Sequence, residues 1–113
     1  MRINIINIPS KYHPQIKKTV VGFIKAQRIN PECTINIEFA SKTKIKRLNK
    51  KYRKINEPTD VLSFPIWESK DKIPQKGAVC LGDIIICPKM TDVNEELDKL
   101  IDHSLGHLGG KHH

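Results

Sequence analysis

The chain has 113 residues, which is room for one compact domain, and its hydrophobic share of 38% supports a modest core with no apolar segment to spare for a membrane. Lys and Arg number 20 against 12 Asp and Glu, a net charge of +8 that favours a polyanionic partner, nucleic acid first, although an Ile-, Lys- and Asn-rich composition accounts for part of it. The N-terminus MRINIINIPS lacks the charged start, long apolar centre and small-residue cleavage site of a signal peptide, and the longest apolar runs fall short of the ~20 residues of a spanning helix, so a cytosolic location is expected.

Taken in chain order, RINIINI alternates and reads as a strand. Pro14 opens a helical stretch in which Ile16, Val20, Phe23 and Ile24 recur at helical spacing, and Asn30-Pro31 breaks it. CTINIEFA is a second strand with Cys33, Ile35, Ile37 and Phe39 on one face. Ser41 is a candidate N-cap for KTKIKRLNKKYR, where Ile45, Leu48 and Tyr52 form one stripe within a strongly cationic helix. NEPTD is a turn, and VLSFPIW is a third strand stopped or bent by Pro65. ESKDKIPQKG reads as a polar loop. AVCLGDIIIC is a fourth strand in which Gly82 signals a bulge or a close backbone approach. Cys80 and Cys87 lie in apolar runs as small core residues, and the three cysteines offer neither a CxxC pair nor a disulfide framework. Asp92 with Glu95 forms a capping pair at the start of the last helix. The order β-α-β-α-β-β-α predicts an α/β (α+β) domain over residues 1–113, a mixed four-stranded sheet with packed helices and a metal cleft at the C-terminal helix.

Four of the five histidines fall in the final stretch HSLGHLGGKHH. With Val93 as zero on a helical wheel, Leu97, Leu100, Ile101, Leu105 and Leu108 fall within an arc from about −20° to about 120°, a core stripe. His103 and His107 fall at roughly 280° and 320°, beside that stripe. Their rings therefore lie one turn apart, where both can present a nitrogen to one Zn²⁺. Gly109-Gly110 can end the helix and turn the chain so that His113 returns to the same ion; spacing alone leaves His112 as an alternative third ligand. The spacing is that of the metzincin metalloproteases, HExxHxxGxxH, but Ser104 stands where those enzymes carry their general-base Glu, which argues against a protease.

These residues resemble a known family. HSLGHLGGKHH is similar to the HGxLHLxGxDH signature of the YbeY family of endoribonucleases, also called rRNA maturation factors. LNKKYRKINEPTDVLSFP, from Leu48 to Pro65, is similar to its LNxxYRxxxxPTDVLSFP segment, and LGDIIIC to its LGDIxIS strand. The resemblance implies a metal-dependent hydrolase of single-stranded RNA that acts in maturation of the three-prime end of small-subunit ribosomal RNA and in ribosome quality control. It implies one Zn²⁺ held by His103, His107 and His113, and Arg53 as the functional arginine. The implied partners are ribosomal RNA and the small ribosomal subunit, with no membrane and with a monomer favoured. Ser104, Gly106 and His112 stand where the family usually carries Gly, Leu and Asp, and the carboxylate of His113 is a possible competitor for the metal. Asp60 is read as a strand-entry cap, with a supporting partner of a site residue as the alternative, and Asp83 is a candidate partner of Arg53 or of a metal-binding histidine. Two other functions fit the same residues. One is a non-catalytic basic ribosome-binding protein with a structural metal; the other is a metal hydrolase of another substrate class.

Overall fold

A computed structural model describes residues 1–109. Its strands are β1 (Arg2–Ile6), β2 (Cys33–Phe39), β3 (Val61–Pro65) and β4 (Val79–Ile86), and its helices are α1 (His13–Ala26), α2 (Lys42–Arg53) and α3 (Val93–Leu108). The element order is the one the sequence predicts. The four strands form one sheet in the order β1-β2-β4-β3, with β1, β2 and β4 parallel and β3 antiparallel to β4. The sheet is therefore mixed, and β3 is an edge strand beyond β4.

Strand alternation decides which helix goes where. Ile35 and Ile37 of β2 and Ile84 and Ile86 of β4 point to one face, where Ile16, Val20 and Ile24 of α1 and Leu97, Ile101, Leu105 and Leu108 of α3 join them in the main core. Leu62 and Ile85 point to the opposite face, and there Ile45 of α2 packs with Leu62 and Cys87 in a second, smaller cluster. The sheet thus separates α2 from α1 and α3. Beside α2, the second face carries a polar ladder: Asn4 Nδ2 donates to Asn36 Oδ1, and Asn36 Nδ2 donates to Asp83 Oδ1, each over 2.8 Å.

Gly82 meets both of its sequence expectations. The β2–β4 register shifts between Thr34 and Ile35, and Gly82 takes φ +140°, where a Cβ would stand 2.2 Å from the Phe64 carbonyl oxygen and 2.9 Å from Leu108 Cδ2. Only a residue without a side chain lets β3, β4 and α3 converge there. Ser41 caps α2 as predicted, its Oγ accepting from the Lys44 amide at 3.1 Å; Asp92 caps α3 with its Oδ1 accepting from the Asn94 amide at 3.1 Å, rather than through the predicted side-chain pair with Glu95.

Three local readings change. Tyr52 shares a stripe with Ile45 and Leu48, yet it is exposed at the last turn of α2, where its aromatic neighbour is Phe64 of the edge strand β3. The segment read as a polar loop contains buried Ile73 and is stapled by the fully buried Asn30, whose Nδ2 donates to the carbonyls of Pro74 at 2.8 Å and Gly77 at 3.0 Å. Cys80 is half-buried where Cys33 and Cys87 are buried, and burial pushes the Cys33 thiol above its ordinary pKa. Among the described residues no helix is long and apolar enough to cross a membrane.

Candidate active site at the edge of strand β3

The C-terminal turn of α2 and the C-terminal half of α3 approach the free edge of β3 from opposite faces of the sheet. Between them lies a cleft of about 490 Å³, lined by Tyr52 and Arg53 of α2, by Thr59 to Phe64, and by His103, Ser104 and His107 of α3. Four consecutive residues of β3 line it, as an edge strand allows: side chains alternate to both sides while the backbone edge faces outward.

Each wall follows from local sequence. The α3 stripe of Leu97, Ile101, Leu105 and Leu108 is buried against the sheet, and this sets the rotation of the helix. His103 and His107, one turn apart beside that stripe, are left at its margin: His103 is exposed and His107 half-buried. Their ring centroids lie 4.6 Å apart at an interplanar angle of 62°. Ser63, directed from β3 to the α3 face, places its Oγ 3.1 Å from His107 Nδ1. Sequence reasoning overlooked Ser63. Its signal was the alternation of VLSFP, which puts position 63 on the face opposite Leu62.

The other wall is the end of α2. Lys54 adopts left-handed geometry at φ +63° and its amide caps the Asn49 carbonyl, so the helix stops at Arg53. Asn49 is buried and its Nδ2 donates to the Glu57 carbonyl at 2.8 Å, which ties the following turn back to the helix. The chain then enters β3 through Asp60. Its Oδ1 accepts from the Val61 amide at 2.8 Å and its carbonyl accepts from the Cys87 amide at 2.8 Å, the strand-capping role expected of it. Helix α2 carries seven Lys and Arg residues and no acid, so positive potential surrounds the Arg53 side of the cleft. Lys44 is the exception, being ion-paired with Glu38.

The structure thus brings Arg53, His103 and His107 into one cleft. His113 lies outside the described residues, as does His112. Among the described residues no group of three His, Cys, Asp or Glu side chains is placed to hold a metal. Asp83 does not join the site. Strand parity sends it to the sheet face opposite α3, where it is exposed and bonded to Asn36, and among the described residues it pairs with neither Arg53 nor a histidine. A larger groove of about 800 Å³ between α1 and α3 shares His103 with the cleft but contains neither Arg53 nor His107.

Comparison with known proteins adds a second line of observation. The family described as Endoribonuclease YbeY matches residues 2–113. The Endoribonuclease YbeY of Alkaliphilus metalliredigens is 29% identical over 117 residues, an alignment that covers 96% of this chain and 76% of that protein. The Endoribonuclease YbeY of Dehalococcoides mccartyi strain BAV1 is 34% identical over 116 residues, with 87% and 72% covered. That of Macrococcus caseolyticus is 31% identical over 116 residues, with 94% and 75% covered. The solution structure of a Thermotoga maritima protein has the same fold, with a TM-score of 0.56 at 24% identity over 98% of this chain and 74% of that one.

Proposed function

The chain belongs to the YbeY family of endoribonucleases, and from that premise we propose that it hydrolyses phosphodiester bonds of single-stranded RNA at the β3 cleft, using one Zn²⁺ held by His103, His107 and His113. The observation that carries this reading is the convergence of Arg53, His103 and His107 on one cleft from two helices that the sheet otherwise keeps apart. The proposed role is maturation of the three-prime end of small-subunit ribosomal RNA and ribosome quality control, by a monomer in the cytosol.

Two of the three proposed ligands, His103 and His107, stand side by side in the cleft, and imidazoles are ordinary zinc donors. Ser63 Oγ, 3.1 Å from His107 Nδ1, supports the ring from the strand side, as the second partner of a metal-binding histidine does. A Zn²⁺ held by His103, His107 and His113 would supply Lewis acidity to a phosphoryl oxygen and would lower the pKa of a water towards ~7. Arg53 is a permanently charged, forked donor that holds two phosphate oxygens and offsets the charge developing there. The cations of α2 neutralise neighbouring phosphates and align the strand. Ser104 next to His103 rules out the carboxylate base of a zinc protease at that position, and the basic surface favours a phosphodiester over a peptide.

The test is to incubate the purified, zinc-loaded chain with single-stranded and duplex ribosomal RNA, beside Arg53→Ala and His107→Ala. Single strands are expected to be cut and duplex spared. Removing the arginine should lower kcat about 10²–10³-fold, as loss of one preorganised donor does, and His107→Ala should lower the zinc content. Cleavage that persists equally in both variants would identify a contaminating nuclease and overturn the proposal.

A further inference from the structure

Among the described Phe, Tyr and Trp residues Tyr52 alone is exposed, at 56% relative exposure. Its position in the sequence stripe with Ile45 and Leu48 would ordinarily bury it, but at the last turn of α2 it lines the cleft instead. There it meets the half-buried Phe64 edge-on, with centroids 5.0 Å apart at 65°, and the Lys51 ammonium lies 5.2 Å from its ring centre. Tyr52, Phe64 and Arg53 all line the same cleft. A propped, solvent-accessible ring flanked by cations is how single-stranded nucleic acid is gripped: the cations take the phosphates and the ring takes the face of a base.

We propose that Tyr52, propped by Phe64, is a stacking platform for one unpaired nucleobase of the RNA whose phosphate Arg53 holds, and that this platform makes the cleft prefer single strands. The inference rests on the RNA-cleaving reading of the cleft and deepens it. One sugar separates a base from its phosphate, so a ring and a guanidinium on consecutive residues are suited to take both. A base in a duplex is stacked on both sides and hydrogen-bonded across, so it offers its face only after unpairing and unstacking. The tyrosine hydroxyl plays no part in this scheme.

The test is equilibrium binding by fluorescence anisotropy at one fixed salt concentration, with the full chain carrying His107→Ala so that the RNA stays intact. The probes are a labelled single-stranded oligoribonucleotide and the same sugar–phosphate backbone with abasic positions. The base-bearing strand should bind about 5- to 150-fold more tightly, the range for one base stacked on an aromatic ring. Adding Tyr52→Leu, which fills the same exposed position with an apolar side chain, should bring the two affinities within about twofold and leave the salt dependence unchanged, because no phosphate contact is removed. Tyr52→Phe should keep the full preference. The proposal is overturned if Tyr52→Leu keeps the preference, or if Tyr52→Phe loses it as fully as Tyr52→Leu. The readout is binding, so it decides the stacking site whether or not the RNA is cut, and the cleavage assay decides the chemistry separately.

Discussion

The two helices that wall the cleft are held in opposite ways. Helix α3 buries Leu97, Ile101, Leu105 and Leu108, each at 1% exposure or less, in the main core between the sheet and α1. Helix α2 buries only Ile45 and Asn49, and its remaining surface is mostly cationic. The histidines therefore ride on an element whose release requires opening the core, while Arg53 and Tyr52 ride on one attached through a satellite cluster of Ile45, Leu62 and Cys87. The division suits the proposed chemistry. Metal ligands must be held to a fraction of an ångström, whereas a cationic and aromatic wall that follows a flexible strand gains from some compliance.

The largest expected effect falls where the two halves are joined. Gly82→Ala places a methyl 2.2 Å from the Phe64 carbonyl and 2.9 Å from Leu108, in a backbone conformation at φ +140° that side chains disfavour. It should cost more than about 4 kcal/mol, the exceptional range for a single substitution, or prevent folding altogether. Urea unfolding measures this, and a cost below about 1 kcal/mol would show that β3 and α3 are not locked together through this point.

Next in size are Leu105→Ala and Ile45→Ala, each of which removes a fully buried aliphatic side chain at a typical cost of about 2–5 kcal/mol. The two should differ in where protection is lost. By amide hydrogen exchange, Leu105→Ala should weaken α1, α3 and the central strands together. Ile45→Ala should loosen α2 and the turn before β3 while the most protected amides of α3 keep the larger share of their protection. Equal loss in both helices in both variants would make the molecule one cooperative unit and dissolve the contrast.

The contrast was partly legible in the sequence. The α3 stripe, its caps, the strand alternations and Gly82 are local signals, and each appears where its period or its backbone demand places it. The family motifs singled out Arg53 and the histidines, and the fold explains how segments some fifty residues apart come to face each other: β3 inserts antiparallel at the edge and carries the end of α2 towards α3. What could not be read is where the buried cluster under a helix ends. Tyr52 has the same spacing as a core residue, yet the cluster under α2 stops at Ile45 and Leu48 and leaves it at the surface. Asp83 looked like a site residue because a charge inside an apolar strand is unusual, but parity with Asn36 and Asn4 gives it a polar partner on the other face. Asn30 read as a helix breaker, and its long-range bonds to Pro74 and Gly77 have no local signature.

A smaller effect concerns the ring that joins β3 to the histidine wall. Ser63→Ala removes the Oγ that lies 3.1 Å from His107 Nδ1. Loss of such a supporting hydrogen bond weakens metal affinity about 10–100-fold. Zinc titration against a competing chelator should show a loss in that range, with little change in urea stability because Ser63 is only half-buried. Unchanged affinity would mean that α3 alone holds the ring.

The smallest effect separates the two helices by their first turns. The N-terminus of α3 has the Asp92 cap and two acids, Glu95 and Glu96, opposite the positive end of the helix dipole. The N-terminus of α2 has no acid in its first turn and relies on Ser41 Oγ, which accepts from the Lys44 amide. Replacing either cap by Ala costs about 1 kcal/mol of local helix stability. In α3 that loss should be masked, because the first turn is continuous with a helix clamped by the core, and exchange beyond its first turn should not change. In α2 it should spread along the helix, since little beyond Ile45 and Asn49 holds the rest down, and Ser41→Ala should speed exchange through to Arg53. Ser41→Asp reverses the sign: a carboxylate can still cap and also meets the dipole and Lys44, so it should slow exchange in α2 by a few tenths of a kcal/mol at low salt. If Ser41→Ala leaves exchange at the Arg53 end unchanged, the compliance assigned to this wall of the cleft is confined to its first turn, and the Arg53–Tyr52 end is held as firmly as the histidines opposite.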